Sequence, residues 1–221
     1  MHSKFAEIGD PKLATIFLSD VDVGGRHDNN YTLLLDYLRQ YIKETDKIVI
    51  VGDLLNLQDA PMGEVLSVAQ DILKFLFKDC RSKLHYIIGD KDNDMIFLKD
   101  IFPIVHSALT FPIANKKAIC LHGHLLTPTV DTSSGFFHQL YKRLCPEQES
   151  VYEANIVTVF KDKFDYVITG HTFSPTIKDL GGITYINVGD VVVNKTLLIA
   201  RANGFELISY VTGEVVASAG V

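Results

Sequence analysis

Aspartates and histidines stand directly behind short apolar runs along this chain. Asp20 and Asp22 follow Ala14–Ser19, Asp53 follows Lys47–Val51 within Gly52-Asp53, and Asp90 and Asp92 follow Leu84–Ile88 within Gly89-Asp90-Lys91-Asp92. His122 follows Ala118–Leu121, with His124 two residues on, and His171 follows Asp165–Thr169 within Gly170-His171-Thr172. Oxygen and imidazole donors without a thiolate suit a hard or borderline divalent cation, such as manganese, zinc or ferrous iron. Clustering so many acids without compensation is costly, and a cation is the simplest remedy. Taken singly, an aspartate after a strand is most simply a turn or helix cap, and a histidine a surface or satisfied core residue. Recurrence at five successive strand ends is the argument for a metal-capable site.

The elements that must position these residues read as follows. Apolar runs of five or six residues, too short for helices, predict buried strands at 14–19, 47–51 and 84–88. Between them, Tyr31, Leu34, Leu35, Leu38, Tyr41 and Ile42 recur at helical spacing behind a cap at Asp28 or Asn29, and Pro61–Lys78 forms a second helix. This β-α-β-α-β order predicts parallel strands with right-handed crossovers, whose carboxyl ends share one crevice. Glycine beside each acid or histidine (Gly52, Gly89, Gly123, Gly170) permits a tight turn presenting the side chain. The second half predicts strands at Ala108–Ala114 and Ala118–Leu121 around an Asn-Lys-Lys turn, helices near Gly135–Leu144 and Glu149–Asp162, and a strand at Asp165–Thr169. Two hairpins follow, Thr176–Leu180 with Ile183–Val188 about Gly181-Gly182, and Leu197–Ala202 with Phe205–Val211 about Asn203-Gly204. The predicted architecture is two packed sheets with helices on their outer faces.

Length and composition bound the rest. At 221 residues, with no repeat or linker, one domain over 1–221 is expected. Apolar residues at 47% and charged residues at 22% are globular values. A net charge of −6 without a Lys/Arg run argues against general nucleic-acid binding. Cys80, Cys120 and Cys145 suit a reducing compartment rather than a disulfide framework. With no span-length apolar stretch and no signal peptide, a cytoplasmic protein is expected, with membrane contact at most peripheral.

Set in order, Ser19-Asp20-Val21-Asp22, Gly52-Asp53, Gly89-Asp90-Lys91-Asp92, His122-Gly123-His124 and Gly170-His171-Thr172-Phe173 resemble the calcineurin-like metallophosphoesterase family. Its signature is Asp-x-His, Gly-Asp, Gly-Asn-His-Asp/Glu, a His, then Gly-His-x-His. The segment Tyr185–Asp190 and the helical insert at about 125–162 are most similar to the UDP-2,3-diacylglucosamine pyrophosphatase-like branch. The resemblance implies an α/β fold, a four-layer αββα sandwich of two mixed sheets flanked by helices. It also implies hydrolysis of a phosphoester or pyrophosphate by metal-activated water, with one or two divalent ions, manganese first and zinc or iron after it. The implied substrate is a phosphorylated small molecule or a nucleotide- or lipid-linked pyrophosphate. Metal ligands carried over are Asp20, Asp22, Asp53, Asp90, His122 and His171, with His124 as a further candidate; Asp53 would bridge the two metals. Lys91 and Asp92 fall at the catalytic positions.

Four residues depart from the pattern. One of them, Asp90 in place of the asparagine, can still ligate and adds negative charge that strengthens cation attraction while lowering the metal's Lewis acidity. Asp22 replaces a histidine, Phe173 replaces the final histidine and cannot ligate, and Lys91 stands where the proton-donating histidine belongs. A lysine remains charged near neutrality, so Lys91 is either an electrostatic clamp on phosphate or a neutraliser of the acids that partly substitutes for a lost cation. Two functions follow: a hydrolase with a modified centre, or a catalytically silent scaffold, for which the retromer-coat member of the superfamily, also carrying Gly-Asp-x-Asp, is a precedent. Phe136, Phe137, Leu140, Tyr141 and Leu144 read as an amphipathic stripe on the sheet, in a region that holds acyl chains in the lipid-processing branch. Phe97, Leu98, Ile101 and Phe102 read as core or pocket wall.

Overall fold

In the computed structural model, residues 6–7, 14–25, 31–98, 105–113, 115–126 and 147–220 are described. Their strands are β1 (Ala6–Glu7), β2 (Ala14–Leu18), β3 (Thr45–Val51), β4 (Leu84–Ile87), β5 (Val105–His106), β6 (Ala108–Ile113) and β7 (Lys116–Leu121). After them come β8 (Tyr166–Thr169), β9 (Thr176–Asp179), β10 (Thr184–Asn187), β11 (Thr196–Arg201), β12 (Gly204–Ser209) and β13 (Val215–Gly220). The helices are α1 (Thr32–Tyr41), α2 (Met62–Val68), α3 (Gln70–Lys74) and α4 (Glu147–Phe160).

Two mixed sheets result. The larger runs β13-β12-β11-β2-β3-β4-β5, and the smaller β1-β6-β7-β8-β10-β9. β2, β3, β4 and β5 are mutually parallel, as the alternating order predicts, and β11 closes antiparallel on β2. In the smaller sheet β7, β8 and β10 are parallel. The two-residue period of a strand then sorts side chains into layers. Ile16, Leu18, Ile48 and Ile50 join Leu34, Leu35, Leu38, Val65 and Ile72 in a core under α1–α3. Phe17, Val49 and Val51 point the other way, into a core between the sheets with Phe111, Tyr166, Ile168 and Phe205. On the far face Ile119 and Val167 meet Tyr152, Ile156 and Phe160 of α4. Both faces of the parallel strands are covered, which is why they read as unbroken apolar runs. Each fully buried leucine of α1 is worth about 1.5–3 kcal/mol, enough to hold a ten-residue helix that has no side-chain cap.

Local departures from expectation have local causes. The helix over 61–78 begins at Met62 behind Pro61, breaks at Ala69, and ends in a π-helical turn, Phe75–Asp79. Lys116 and Lys117 lie in β7, not in the turn, because Ile113 pairs with Lys116. Gly181 and Gly182, both at positive φ, form the predicted tight turn. The second hairpin turns one residue earlier, at Ala202-Asn203, since Arg201 pairs with Gly204. Gly204 (φ +148°) is a strand residue whose missing side chain admits Ala219 of β13. The α4 helix starts at Glu147 rather than Glu149. β1, β5 and β13 lay below the reading of the sequence. Phe97 is 81% exposed, hence neither core nor wall. Cys80 and Cys120 are buried free thiols. The caps at 28–29, the helix near 135–144 with its aromatic stripe, Ile101, Phe102 and Cys145 lie outside the described residues.

Candidate metal centre

The loops after β2, β3 and β4 of the larger sheet meet those after β7 and β8 of the smaller one. Main-chain bonds from Asp20 N to Gly52 O (3.2 Å), Asp22 N to Asp53 O (2.9 Å) and Gly170 N to His122 O (3.0 Å) prolong the strand pairing beyond the sheets. Backbone conformation then aims the side chains. Among the described residues eight non-glycine positions have positive φ, and five of them are Asp20 (52°), Asp22 (54°), Asp53 (52°), His171 (65°) and Phe173 (51°). Left-handed backbone costs a side-chain-bearing residue energy, and it gathers where function over-determines it. Gly52 (φ +82°) and Gly123 (φ +110°) make turns of the kind expected of the glycines, and the neighbouring acids and His171 share that left-handed backbone. Gly89 keeps negative φ and serves close approach instead: a Cβ there would strike the Asp53 carboxylate.

Asp53, Asp90, His122 and His171 converge as the sequence predicts. His122 Nε2 lies 3.3 Å from Asp53 Oδ2 and 3.1 Å from Asp90 Oδ1, and His171 Nδ1 lies 3.2 Å from the same Asp90 oxygen. The opposite edge of His122 is fixed, with Nδ1 2.7 Å from Val51 O. A ring donating there leaves Nε2 facing the acids, to which it donates when protonated. When neutral its lone pair is free for a cation, the usual arrangement behind a metal-ligating imidazole. Asp53 Oδ2 and Asp20 Oδ1 are buried and accept no hydrogen bond. Such oxygens in a dry pocket are suited to a cation. Donor atoms of Asp20, Asp53 and His122, and separately of Asp90, His122 and His124, lie within 4.8 Å of one another. His124 therefore stands beside the same acids, its ring 5.6 Å from that of His122.

Charge coupling is strong. Burial works to lower His122, but Asp53 and Asp20 overcome it and raise the imidazole well above its ordinary value. Burial would raise Asp53 and Asp90, yet His122, joined at Asp90 by His171, holds both below theirs. Asp20, sealed off with Asp53 nearby, is pushed well up by its burial. Cation binding at His122 Nε2 accordingly competes with a proton.

Lys91 defines the other half of the pocket. Its Nζ lies 2.6 and 2.8 Å from the Asp22 oxygens, 3.9 Å from Asp53 Oδ2, and 5.3 Å from the Phe173 ring centroid. Burial alone would lower the amine; Asp22, Asp53 and Asp20 outweigh it and hold it above the usual lysine range. Asp22 is pushed up to about 6 by burial, with Lys91 pulling against that. The first-metal position of the family pattern thus has an ammonium against it and an aromatic ring where a ligand belongs.

Asp92 sits behind the pocket rather than in it. Its oxygens accept from Leu54 N and Gly89 N (both 2.7 Å) and from the Tyr86 hydroxyl, and it is fully buried. It fastens the Asp53 and Asp90 loops together and has no free edge for substrate. Sequence reasoning missed two further positioning groups. Ser19 Oγ reaches Asp20 Oδ2 and Val51 O, and buried Asn187 ties Gly170 O (3.0 Å) and Thr172 Oγ1 (2.6 Å) to the end of β10. A polar residue within an apolar strand, as in Tyr-Ile-Asn-Val, was the available signal for Asn187.

Two sheets back to back, with acids and imidazoles gathered at the carboxyl ends of their strands, define a phosphoesterase-type α/β sandwich. The sequence model of the calcineurin-like phosphoesterase superfamily domain matches residues 15–201, and the chain belongs to that superfamily. No curated protein matches it in sequence. Among solved structures it is similar to YfcE, a phosphoesterase from E. coli, at 16% identity and TM-score 0.58, covering 95% of this chain and 100% of that one. It is also similar to a single mutant of Vps29 from Entamoeba histolytica, at 17% identity and TM-score 0.51, covering 95% and 98%. Vacuolar Protein Sorting 29 of Cryptosporidium parvum is similar at 15% identity and TM-score 0.51, covering 99% of each chain. No helix among the described residues is long and apolar enough to cross a membrane.

Proposed function

We propose that the protein is a metal-dependent phosphohydrolase whose divalent ion is held by Asp53, Asp90, His122 and His171, with His124 beside them. The observation that carries this reading is the convergence of His122 Nε2 on Asp53 and Asp90, with Asp53 Oδ2 left without a hydrogen-bond donor. A divalent ion there supplies Lewis-acid activation of a phosphate oxygen and of water; manganese, zinc and iron all suit the donors. The chain's own groups do the rest. Asp90 and His171, the more exposed members at 37% and 18%, form the rim through which a phosphate enters. Lys91 fixes positive charge at the back of the pocket, where it offsets charge developing on the phosphoryl oxygens.

Lys91 held above its usual range gives up no proton near neutrality. Leaving groups that need none are therefore favoured. That points to a pyrophosphate, whose leaving group is itself a phosphate, and it agrees with the likeness of Tyr185–Asp190 to the UDP-2,3-diacylglucosamine pyrophosphatase-like branch. A phosphorylated small molecule or a nucleotide- or lipid-linked pyrophosphate is the proposed substrate class, met in the cytoplasm.

The test is turnover of bis-p-nitrophenyl phosphate with manganese. Turnover is expected and is lost in His122→Ala and Asp53→Asn. The Lys91–Asp22 pair favours a second reading, a silent scaffold. A folded protein inert toward this diester and toward a nucleotide-linked pyrophosphate, with manganese, zinc, iron and magnesium, would refute the first reading and support the second.

A further inference from the structure

Three of the four residues that break the superfamily pattern come from three loops, yet two of them meet the third. Lys91 Nζ is 2.6 Å from Asp22 Oδ2 and 5.3 Å from the centre of the Phe173 ring. We infer that Asp22, Lys91 and Phe173 together form a resident cation site in which the Lys91 ammonium replaces one of two metals, so that the chain binds a single divalent ion. This rests on the proposed ion at Asp53, Asp90, His122 and His171.

Coordination chemistry supports the assignment. A divalent ion needs lone pairs, and a phenyl ring has none to offer. An ammonium is satisfied by carboxylate oxygens and by the negative face of a ring, which is what Asp22, Asp53 and Phe173 supply. Backbone geometry agrees. Asp22 and Phe173 both retain left-handed φ, 54° and 51°, a conformation bulky residues rarely adopt. The Phe173 loop still directs its side chain inward, and what it delivers is a ring against the ammonium.

Charge balance points the same way. Asp20, Asp22, Asp53 and Asp90 supply four carboxylates. One ammonium and one divalent ion leave a single net negative charge, whereas a second divalent ion added beside the ammonium would make the pocket positive and set two metals and an ammonium against the same Asp53 carboxylate. Random loss of ligands would scatter changes through both halves. Here the three that replace an imidazole fall around one point, the exchange at Asp90 keeps an oxygen donor in the other half, and Asp53, shared by both halves, stays in place.

The experiment is manganese loading of the full chain, followed by elemental analysis after desalting and by electron paramagnetic resonance. One manganese per chain with an uncoupled six-line spectrum is expected. Two ions with an exchange-coupled spectrum would overturn the inference and leave the proposed hydrolase standing. No retained manganese would overturn the metal site itself, and with it both this inference and the proposed hydrolase. Lys91→His combined with Phe173→His is expected to take the count from one to two and to couple the spins; a count that stays at one overturns the inference. Lys91→Met keeps the buried alkyl stem and removes only the charge, which guards against misfolding of the double variant. It is expected to admit a second, weaker manganese, and failure to do so counts against the ammonium as the excluding group.

Discussion

Substituting Gly52 by alanine adds one methyl group at the point where two loops interlock. Gly52 has φ +82°, and a Cβ there would overlap Nδ1 and Cγ of His122 and lie 2.8 Å from its Cβ. Left-handed backbone with a side chain costs about 1–2 kcal/mol. Pushing the imidazole aside breaks its contact with Val51 O at 2.7 Å and strands buried polar atoms, about 1–3 kcal/mol more. The total, about 2–5 kcal/mol, lowers the melting temperature of a chain this size by roughly 5–15 °C. Because Val51 O orients the candidate ligand, manganese affinity falls about 10–100-fold as well. Gly63→Ala is the control. Nothing lies within 4 Å of its added methyl in α2, so the same chemical change stabilises by about 0.5–1 kcal/mol. Thermal unfolding followed by circular dichroism, with calorimetric manganese titration, measures both. A Gly52→Ala protein with wild-type melting temperature and affinity would refute the claim that this glycine exists to seat His122.

Asp92→Ala is expected to cost about 3–5 kcal/mol in urea unfolding, since it leaves the amides of Leu54 and Gly89 and the Tyr86 hydroxyl buried without an acceptor. Weakened manganese binding should accompany it, because the same carboxylate ties the Asp53 and Asp90 loops together; unchanged stability would deny it that role. His85 is pushed down to about 4 by burial, with His106 and Lys47 adding to it, and its Nδ1 is buried without a partner. The unfolded chain takes up that proton below about 6.5 while the native state does not, so stability is untouched above this pH and lost as pH falls toward 4. Discounted for partial exposure, the loss is about 1–2 kcal/mol. Urea midpoints at pH 7 and pH 4.5 should differ less in His85→Gln; an unchanged difference would remove His85 as the cause.

The fold was legible where periodicity and length agreed. The runs over 14–19, 47–51 and 84–88 were too short for helices, the strands they form end at Leu18, Val51 and Ile87, and their parallel order followed from the helices between them. That logic carried Asp53, Asp90, His122 and His171 to one place. It failed where partners far along the chain decide. Asp92 looked like an active-site acid because it shares a motif with Asp90, but the short turn between them aims the two carboxylates differently, and only Tyr86 and Leu54 reveal the direction. β13 is an exposed edge strand whose alternation is weak, and the turn at Ala202-Asn203 was set by the pairing of β11 with β12, Arg201 against Gly204, rather than by its own dipeptide. The meeting of Asp22, Lys91 and Phe173 required three loops in space, and no spacing rule links them.

The proposed ligand set is divided between the two halves of the sandwich, with Asp53 and Asp90 carried by the larger sheet and His122 and His171 by the smaller. A slip of one sheet past the other by a single residue is about 3.3 Å, more than a coordination bond is long. The geometry available to an ion is therefore set deep inside the protein, by the interlocking of Phe17 with Phe111 (ring centres 5.6 Å apart) and of Tyr166 with Phe205 (4.8 Å), well before any loop residue is chosen. The ion proposed at the top would rivet the two slabs together, which ties the apolar seam to the pocket above it.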